Sequence, residues 1–431
     1  MKTINLISFG CPKNLVDSET LLGMLATNGY SFIADHRKAD IIIINTCGFL
    51  KASREEAYEA INRVSTVKPA GQKLVICGCL PQFEKEQLLI KFPKIDALLG
   101  SSDFPMISSI LEQLNTSGQP HNHLVKISRP DFLLSNEPKI FSTPASYAYI
   151  KIADGCNNRC AYCLIPSLRG SYRSRQIADI FNDTASAVAS GRKEVILIAQ
   201  DTTLYGIDIY GKPALHKLIH KLSTIKNLLW IRILYTHPAH FTDELINIIS
   251  RNPKVAKYVD MPIQHTADQV LKKMGRPPSK TIFGTIEKLR NKAPDIALRT
   301  TVMVGYPGET ENCFNQLLND IRQLRFDWLG AFTYSSEKGT KAHRLKGIIP
   351  EKVAKQRLAE VMKLQQKITY EKNRAMIGKR INILVDNPKF GHIELQAPEI
   401  DGKVFFNCPQ KEGRLIKVKI AGTKGAYDLK A

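Results

Sequence analysis

Short apolar runs alternate with helical patterns in the N-terminal part of the chain, and this alternation restricts the fold more than any other feature. Apolar runs at residues 4–8, 41–45 and 73–77 are separated by stretches with helical periodicity. Ser53 followed by Glu56 has the capping-box pattern and predicts a helix that begins at residue 53. Alternating strands and helices predict a parallel sheet. We therefore expect an α/β domain over residues 1–115.

The periodicity weakens after this domain. Gly118, Pro120, Pro130 and Pro138 lie in a stretch that has little helical or strand pattern. We predict that residues 116–141 form an interdomain linker.

A second alternating series follows the predicted linker. Its predicted strands lie near residues 147–152, 194–199, 230–234, 258–262, 297–304 and 328–332. A closed eight-unit barrel takes about 250 residues, which is more than this series offers. The pattern therefore predicts a partial βα barrel over residues 142–372.

The texture of the sequence changes again near the C-terminus. Short strand patterns at residues 380–385, 392–395, 403–406 and 415–420 predict a small all-β module, a barrel of the OB-like kind, over residues 373–431. A length of 431 residues fits two or three domains. The predicted fold class is α/β with a C-terminal small β-barrel.

Three cysteines form a C-x3-C-x2-C run, Cys156, Cys160 and Cys163, directly after a predicted strand. Three thiolates can hold three irons of a four-iron cluster, which leaves the fourth iron open for a substrate or cofactor. A structural zinc site is the alternative, but such sites usually have four ligands, and no nearby histidine completes the set. The spacing favours an iron–sulfur cluster.

Cys11, Cys47 and Cys79 each lie just past the carboxyl end of a predicted strand. Ligands bind at that edge of an open α/β sheet, so these cysteines could converge on a second cluster. Scattered cysteines are also common as inert core residues, and the spacing leaves both interpretations open. We interpret the remaining cysteines as core residues: Cys77, Cys313 and Cys408.

The chain is strongly basic, with a formal charge of +21 from 61 basic and 40 acidic residues. Such a charge is typical of nucleic-acid partners, but the lysines and arginines are scattered, which fits a solvated basic surface equally well. No apolar run reaches the about 18 residues that a membrane span requires, and no secretory signal is visible. We expect a cytoplasmic protein with reduced thiols and no membrane contact.

These motifs resemble the radical S-adenosylmethionine methylthiotransferase family over the whole chain. The segment FGCPKNLVDSE at residues 9–19 resembles the RimO branch, which modifies a ribosomal protein. The MiaB branch, which modifies tRNA, usually has a Gln-Met-Asn version there. Three further motifs resemble the RimO pattern: IPSLRG at 165–170, AQDT at 199–202 and APEIDG at 397–402.

The resemblance implies an N-terminal methylthiotransferase domain, a radical-SAM barrel and a C-terminal TRAM domain. It also implies that Cys11, Cys47 and Cys79 hold an auxiliary four-iron four-sulfur (4Fe-4S) cluster, in addition to the radical-SAM 4Fe-4S cluster on the loop cysteines. Tyr162 and the VGYPGET motif at 304–310 match places beside S-adenosylmethionine, and Gln200, Gln264 and His265 lie at predicted strand ends. The predicted pocket residues are Tyr162, Gln200, Gln264, Gly305 and Glu309.

The resemblance implies that S-adenosylmethionine binds the open iron and is split to a radical. This radical removes hydrogen from the β-carbon of an aspartate in small-subunit ribosomal protein twelve. The auxiliary cluster then delivers sulfur, and a second S-adenosylmethionine supplies the methyl group. A low-potential electron donor of unknown identity is required. No residue beyond the cluster ligands is predicted to be catalytic.

Two alternatives remain. A tRNA adenosine methylthiotransferase of the MiaB type shares the cofactors, and residues 373–431, with 11 basic and 6 acidic side chains, suit RNA contact through the TRAM domain. A non-catalytic RNA-binding scaffold stabilised by metal is the alternative of another class. The scaffold leaves the three-cysteine spacing unexplained.

Overall fold

The structure, a computed structural model, describes residues 2–116 and 123–431. The strands, numbered in chain order, are β1 (Thr3–Ser8), β2 (Ser31–Phe32), β3 (Ile41–Thr46), β4 (Lys73–Gly78), β5 (Ala97–Leu99), β6 (Leu124–Lys126), β7 (Tyr147–Lys151), β8 (Ala153–Asp154), β9 (Arg173–Ser174), β10 (Glu194–Ile198), β11 (Trp230–Ile233), β12 (Val255–Asp260), β13 (Ala297–Val304), β14 (Trp328–Thr333), β15 (Arg380–Asn387), β16 (Phe390–Ile393), β17 (Val404–Phe405), β18 (Leu415–Lys419), β19 (Gly422–Lys424) and β20 (Asp428–Lys430).

The α-helices are α1 (Pro12–Thr27), α2 (Lys51–Val67), α3 (Cys79–Glu84), α4 (Gln87–Lys91), α5 (Ile107–Thr116), α6 (Ile165–Arg169), α7 (Ile177–Ala189), α8 (Ile207–Tyr210), α9 (Leu215–Leu222), α10 (Asp243–Arg251), α11 (Asp268–Met274), α12 (Ser279–Lys292), α13 (Glu311–Leu324) and α14 (Glu351–Arg374). Short 3-10 helices in the described residues lie at His36–Lys38, Phe104–Met106, Pro238–His240 and Ala342–Arg344.

The N-terminal unit is built on a parallel sheet. This unit comprises the described residues of Met1–Ser142 together with Ala153–Asn158 and Cys163–Asp179. Its strand order is β2-β1-β3-β4-β5-β6, and every pairing in this sheet is parallel. All six residues of β3 are buried, as expected for a central strand that has both faces covered. The predicted parallel sheet is confirmed.

Helix α2 begins earlier than the capping-box pattern predicts. The first helical hydrogen bond runs from the Arg54 N–H to the Leu50 carbonyl (3.0 Å), so Ser53 lies inside the first turn. Leu50 is the N-cap residue and makes no side-chain capping bond. The prediction that the helix begins at residue 53 is therefore wrong by two residues, because α2 begins at Lys51.

Strand β6 lies within the range predicted as a linker. It pairs in parallel with β5 and extends the sheet by one edge strand. Beyond it, the Ser128 N–H donates to the Asp103 carboxylate (2.9 Å), and Leu134 is buried. A three-residue strand among prolines carries too little pattern to be seen in the sequence. Gly118, Pro120 and the rest of residues 117–122 lie outside the described residues, and the domain boundaries remain a prediction.

The second unit contains an open barrel of six strands. It comprises Thr143–Ile152, Arg159–Tyr162 and Ile180–Ala431. The strand order is β14-β13-β12-β11-β10-β7, with every pairing parallel and β7 and β14 at the two edges. This arrangement confirms the predicted partial βα barrel.

The C-terminal β-module belongs to the same unit and forms a sheet in the order β18-β15-β16-β17-β20-β19. Ile383, Val404 and Leu429 are buried in its core. These three sheets together confirm the predicted fold class. In the part of the chain that the structure describes, no helix has both the length and the apolar character of a membrane crossing.

Buried charges join the C-terminal module to strands β10 and β11 of the barrel. Glu194, the first residue of β10, accepts from Arg232 Nε (2.6 Å) through one oxygen and contacts His392 Nε2 (2.6 Å) with the other. His392 Nδ1 lies 2.8 Å from the Asp386 carboxylate. All four side chains are buried, so each charge depends on its partners.

Two of the three cysteines interpreted as core residues are indeed buried, namely Cys77 and Cys313. The prediction for Cys408 is wrong, because this residue is exposed. It lies in the irregular connection between β17 and β18 rather than on a strand that faces the core.

Candidate metal centres and cofactor pocket

The three N-terminal cysteines follow three strands that are neighbours in the sheet. Cys11 lies three residues after β1, Cys47 directly follows β3, and Cys79 directly follows β4. Because β1, β3 and β4 are adjacent and parallel, their carboxyl ends meet at one edge. The fold thus brings together three thiols that are far apart in the sequence.

The backbone around these cysteines allows a close approach. Gly10 has a φ of +101°, and a Cβ there would lie 2.8 Å from the Cβ of Cys47. Burial raises the pKa of Cys47, and the neighbouring negative charge of an ionised Cys11 raises it further. The two thiols are therefore close enough to interact electrostatically.

Positive charges oppose the cost of ionising these buried thiols. Burial acts to raise the pKa of Cys11, but the charge of Lys13, with smaller contributions from backbone N–H groups and Arg169, leaves it below its ordinary value. Burial raises the pKa of Cys79 to about 11, against the opposing charge of Arg169. Metal ligands are thiolates, so such cations favour ligation.

The three N-terminal cysteines are not part of a closely spaced ligand group among the described residues. Among the described residues, the one group of three or more His, Cys, Asp or Glu side chains whose ligand atoms all lie within 4.8 Å of one another contains no cysteine. A single zinc ion binds thiolates at about 2.3 Å and would require such close spacing. Thiolates that bind different irons of one cluster do not need such close spacing.

The loop cysteines are divided between the two units. Cys156 and Cys163 belong to the N-terminal unit, and Cys160 belongs to the barrel unit. The Cys156 N–H donates to the Gly170 carbonyl (3.1 Å), and the Ile165 N–H donates to Cys163 Sγ (3.4 Å). Backbone contacts thus fix the loop at both of its N-terminal-unit cysteines.

Arg276 lies beside Cys160 in the barrel unit. Its Nη1 is 3.9 Å from Cys160 Sγ, and it also donates to the Pro262 carbonyl. The Ala161 N–H donates to the Met274 carbonyl (2.8 Å), which anchors the loop to the end of α11. A cation next to a thiol that is a candidate ligand favours the thiolate.

Tyr162 packs within the barrel unit against Tyr306, with the ring centroids 6.5 Å apart in an edge-to-face geometry. Gln200 is partly buried and lies two residues after the end of β10. Gln200 thus lies just past the carboxyl end of a barrel strand, and Tyr162 packs against Tyr306, which lies two residues after the end of β13.

Gln264 and His265 present buried polar atoms beyond the end of β12. Gln264 adopts a φ of +71°, and within the described residues its Oε1 has no hydrogen-bond partner. His265 Nδ1 accepts from the N–H groups of Thr266 and Ala267, both at 2.9 Å. Its Nε2 therefore carries the proton, and this donor also has no partner among the described residues.

Gly305 and Glu309 shape the turn after β13. Gly305 has a φ of +74°, and a Cβ there would lie 2.6 Å from the Cβ of Ala354 in α14. Glu309 is buried, accepts from the Tyr306 N–H (3.1 Å) and forms an ion pair with Arg357 (3.0 Å). These contacts hold the turn, and the role of both residues in a cofactor pocket remains a prediction.

Sequence reasoning missed a group at the same edge of the barrel. Asp201, His237 and His240 are the three residues whose ligand atoms lie within 4.8 Å of one another. Asp201 Oδ2 is 2.8 Å from His240 Nδ1, and the two imidazole rings stack with centroids 4.4 Å apart. His237 Nδ1 already accepts from the Ala239 N–H (3.3 Å). The H-x2-H spacing after a strand was the available signal.

Sequence reasoning also gave no role to Arg169, although this residue lies in the IPSLRG motif. Its Nε lies 3.2 Å from Cys79 Sγ, and its Nη1 lies 2.6 Å from Asp17 Oδ2. The partners are distant in sequence, so no local pattern reveals them.

Comparisons with known proteins identify three regions. Residues 3–100 match the model of uncharacterized protein family UPF0004, residues 150–321 match the radical SAM superfamily, and residues 377–431 match the TRAM domain. The matched regions follow one another along the chain in the order of the three sheets.

Relatives match over nearly their whole lengths. The ribosomal protein uS12 methylthiotransferase RimO of Carboxydothermus hydrogenoformans is 43% identical, covering 99% of this chain and 98% of that protein. The protein of the same name from Clostridioides difficile is 42% identical, covering 100% and 98%, respectively. That from Geobacter sulfurreducens is 41% identical, covering 99% and 97%.

Solved structures share the fold at low identity. The radical S-adenosylmethionine methyltransferase TsrM from Kitasatospora setae, solved with cobalamin and a [4Fe-4S] cluster, has a TM-score of 0.58 at 14% identity, covering 77% of this chain and 75% of that one. The cobalamin-dependent radical enzyme OxsB has a TM-score of 0.55 at 12% identity, covering 85% and 56%. These likenesses support the fold alone.

The full-length relatives identify the family of this chain, whereas the solved structures support only its fold. Their identity exceeds 40% over alignments that cover 99–100% of this chain. The six cysteines of the two candidate centres lie within the first two matched regions. The chain therefore belongs to the RimO family of radical S-adenosylmethionine methylthiotransferases.

Proposed function

We propose that this enzyme adds a methylthio group to the β-carbon of an aspartate in ribosomal protein uS12. It would use two molecules of S-adenosylmethionine, one as the radical source and one as the methyl donor, and two 4Fe-4S clusters. The observation that carries the proposal is the convergence of Cys11, Cys47 and Cys79 at one sheet edge, in the same unit as Cys156 and Cys163. The names of the full-length relatives support the substrate.

The proposed ligands fall into two sets. Cys11, Cys47 and Cys79 would hold the auxiliary cluster, and the loop set of Cys156, Cys160 and Cys163 would hold the radical-SAM cluster. When bound, the clusters supply the electron for cleaving S-adenosylmethionine and the sulfur that is inserted. An unactivated aliphatic carbon has no sufficiently acidic proton, so side-chain acids and bases alone cannot perform this substitution. No catalytic residue beyond the ligands is proposed.

The residues of the chain would hold the cluster ligands in place, orient the bound cofactor and exclude water from the pocket. Cys156 and Cys163 are held by their backbone hydrogen bonds to the segment at residues 165–170. The ion pair of Glu309 with Arg357 holds the turn that contains Gly305. A fixed turn keeps the adjoining pocket in one shape, and preorganisation of this kind lowers the cost of binding.

The proposed S-adenosylmethionine pocket lies at the carboxyl ends of the barrel strands. Gln264 offers a buried acceptor without a partner among the described residues. Tyr162 offers an aromatic face for the adenine, and Gln200 a polar group at the end of β10. Gly305 and Glu309 contribute through the backbone of their turn. Buried polar atoms without partners are costly unless a ligand satisfies them.

The TRAM domain is proposed to contact ribosomal RNA. Arg380 and Lys419 lie directly opposite each other on paired strands, and both are exposed, as is the neighbouring Lys417. Like charges placed opposite each other on a sheet repel. The anionic phosphate backbone of RNA would relieve that repulsion.

The proposed reaction also requires a separate low-potential electron donor.

Two sets of full-length variants test the cluster assignment. In the loop variant Cys156→Ala/Cys160→Ala/Cys163→Ala, we expect no deoxyadenosine from S-adenosylmethionine. In the variant Cys11→Ala/Cys47→Ala/Cys79→Ala, we expect deoxyadenosine but no methylthiolated uS12 peptide. Chromatography measures the nucleoside, and mass spectrometry measures the peptide. Normal deoxyadenosine release by the loop variant would refute the assignment.

Cysteines outside the two sets provide matched controls. Cys313→Ala and Cys408→Ala should retain the iron content and the deoxyadenosine release of the parent, because neither residue lies in a proposed centre. The macromolecular substrate requires a separate test in a strain that lacks this protein. Loss of the methylthio group from uS12 supports the proposal, whereas its loss from tRNA would identify a tRNA enzyme instead.

A further inference from the structure

Arg169 is a fully enclosed cation in the N-terminal unit, with only 4% of its surface exposed. It is the last residue of α6, the short helix that follows the loop cysteines. Burying an unpaired guanidinium costs free energy, so the groups that contact Arg169 must stabilise its charge.

These partners connect both cysteine sets. Arg169 Nε lies 3.2 Å from Cys79 Sγ, and Nη1 lies 2.6 Å from Asp17 Oδ2. Nη1 also lies 3.4 Å from Asp154 Oδ2, two residues before Cys156. One side chain therefore contacts a sulfur of the N-terminal set and a carboxylate beside the loop set.

The packing around Cys79 agrees with this connection. Cys79 forms a small buried cluster with Leu164, the N-cap residue of α6, and with Leu168 inside this helix. The Ser101 hydroxyl donates to the Leu168 carbonyl (2.5 Å). The helix that carries Arg169 is thus fixed against the segment that carries Cys79, and the guanidinium cannot easily withdraw.

We propose that Arg169 is a positioning residue that holds the Cys79 sulfur by a charged hydrogen bond and raises the reduction potential of the auxiliary cluster. This inference rests on the proposed function, which assigns that cluster to Cys11, Cys47 and Cys79. Reduction adds a negative charge to a cluster, and a nearby guanidinium stabilises the added charge. Hydrogen bonds to the sulfurs and local charge are the means by which proteins set such potentials.

A purely structural role for Arg169 is the competing explanation, since its bonds to Asp17 and Asp154 could serve stability alone. The two explanations predict different changes in the reduction potential when Asp17 and Arg169 are neutralised. If the guanidinium acts on the cluster, neutralising Asp17 should raise the potential, because less of the positive charge is balanced. Neutralising Arg169 together with Asp17 should lower it. A structural role produces no such reversal.

The test uses the full-length chain in the background Cys156→Ala/Cys160→Ala/Cys163→Ala, so that the N-terminal centre is observed alone. Asp17→Asn keeps the shape of the side chain, and Arg169→Gln/Asp17→Asn avoids leaving an unpaired buried carboxylate at residue 17. Arg37→Gln, at an exposed arginine of the same unit, is the matched control. Iron per chain and the midpoint potential, followed by electron paramagnetic resonance, are the readouts.

We expect iron per chain to match the background in all three variants. At a fixed potential, the ratio of reduced to oxidised cluster should rise in Asp17→Asn. This ratio should fall at least tenfold in Arg169→Gln/Asp17→Asn. A tenfold fall corresponds to a midpoint potential lower by about 59 mV for a one-electron couple. Unchanged ratios in iron-loaded variants would overturn the role of Arg169. If the double variant fails to fold, Asp17→Asn still decides, since an unchanged or lowered ratio there overturns the proposal. An iron-free background would instead refute the proposed auxiliary cluster.

Discussion

Replacing His392 with Gln should remove a pH-dependent part of the stability of this enzyme. His392 is buried between the carboxylates of Asp386 and Glu194. Burial opposes its charge, but these two carboxylates prevail and raise the pKa of His392 to about 9 from an ordinary value of 6.5. Glutamine fills a similar space and cannot become charged, so it removes the titration.

The magnitude follows from the two pKa values. A histidine whose pKa is raised by folding stabilises the folded state fully below its unfolded pKa, and this stabilisation is lost as the pH rises through the folded pKa. The difference between 6.5 and about 9, at about 1.36 kcal/mol per pKa unit, corresponds to about 3 kcal/mol. Most of it, about 2.5 kcal/mol, is lost between pH 7 and pH 9.5.

Urea unfolding followed by tryptophan fluorescence measures the loss. The chain has two tryptophans, and both adjoin the C-terminal module. The Trp230 ring lies 5.8 Å from the His392 ring, and Trp328 Nε1 donates to the Leu395 carbonyl (2.8 Å). The parent should lose about 2.5 kcal/mol more than His392→Gln between pH 7 and pH 9.5.

An exposed histidine of the same unit gives the control. His220→Gln should retain the pH dependence of the parent, because His220 is exposed. The reasoning is refuted if His392→Gln and the parent lose the same unfolding free energy over this pH range.

Two further predictions concern single side chains. Gly305→Ala should lower the unfolding free energy by about 1–3 kcal/mol, because the added Cβ meets Ala354 at 2.6 Å and φ is +74°. Gly284→Ala, where no atom lies within 4 Å of an added Cβ, should instead stabilise helix α12 slightly. Thermal unfolding compares the two, and equal effects would contradict the steric argument. Cys77→Ala should keep the iron content and cost about 1 kcal/mol, because Cys77 is a buried core residue; loss of iron in a metal assay would contradict this interpretation.

Much of the fold could be predicted because hydrophobic periodicity is a local property. The strand predicted at residues 297–304 matches β13, and each of the other five predicted barrel strands overlaps an observed strand. Strand β6 and the start of α2 were not predicted correctly. Three residues carry no usable period, and Leu50 acts as an N-cap without a capping side chain.

In the candidate site, too, local features could be predicted from the sequence, whereas features that depend on the tertiary fold could not. The positions of Cys11, Cys47 and Cys79 at strand ends could be predicted from the sequence, but their meeting depends on β1, β3 and β4 being adjacent, which periodicity does not reveal. Arg169 lies 90 residues after Cys79 and 152 after Asp17. Contacts over such distances arise from the tertiary fold, so the sequence pattern could not assign them.

The buried charges between the barrel and the C-terminal module also affect the order of events during synthesis. Glu194 and Arg232 leave the ribosome well before His392, the partner that completes their network. N-terminal segments can fold as they emerge. The ion pair of Glu194 with Arg232 can form within the barrel alone, but the second Glu194 oxygen gains its partner only once His392 has been translated. A chain interrupted before His392 would therefore leave that Glu194 oxygen without its histidine partner, at a cost in stability.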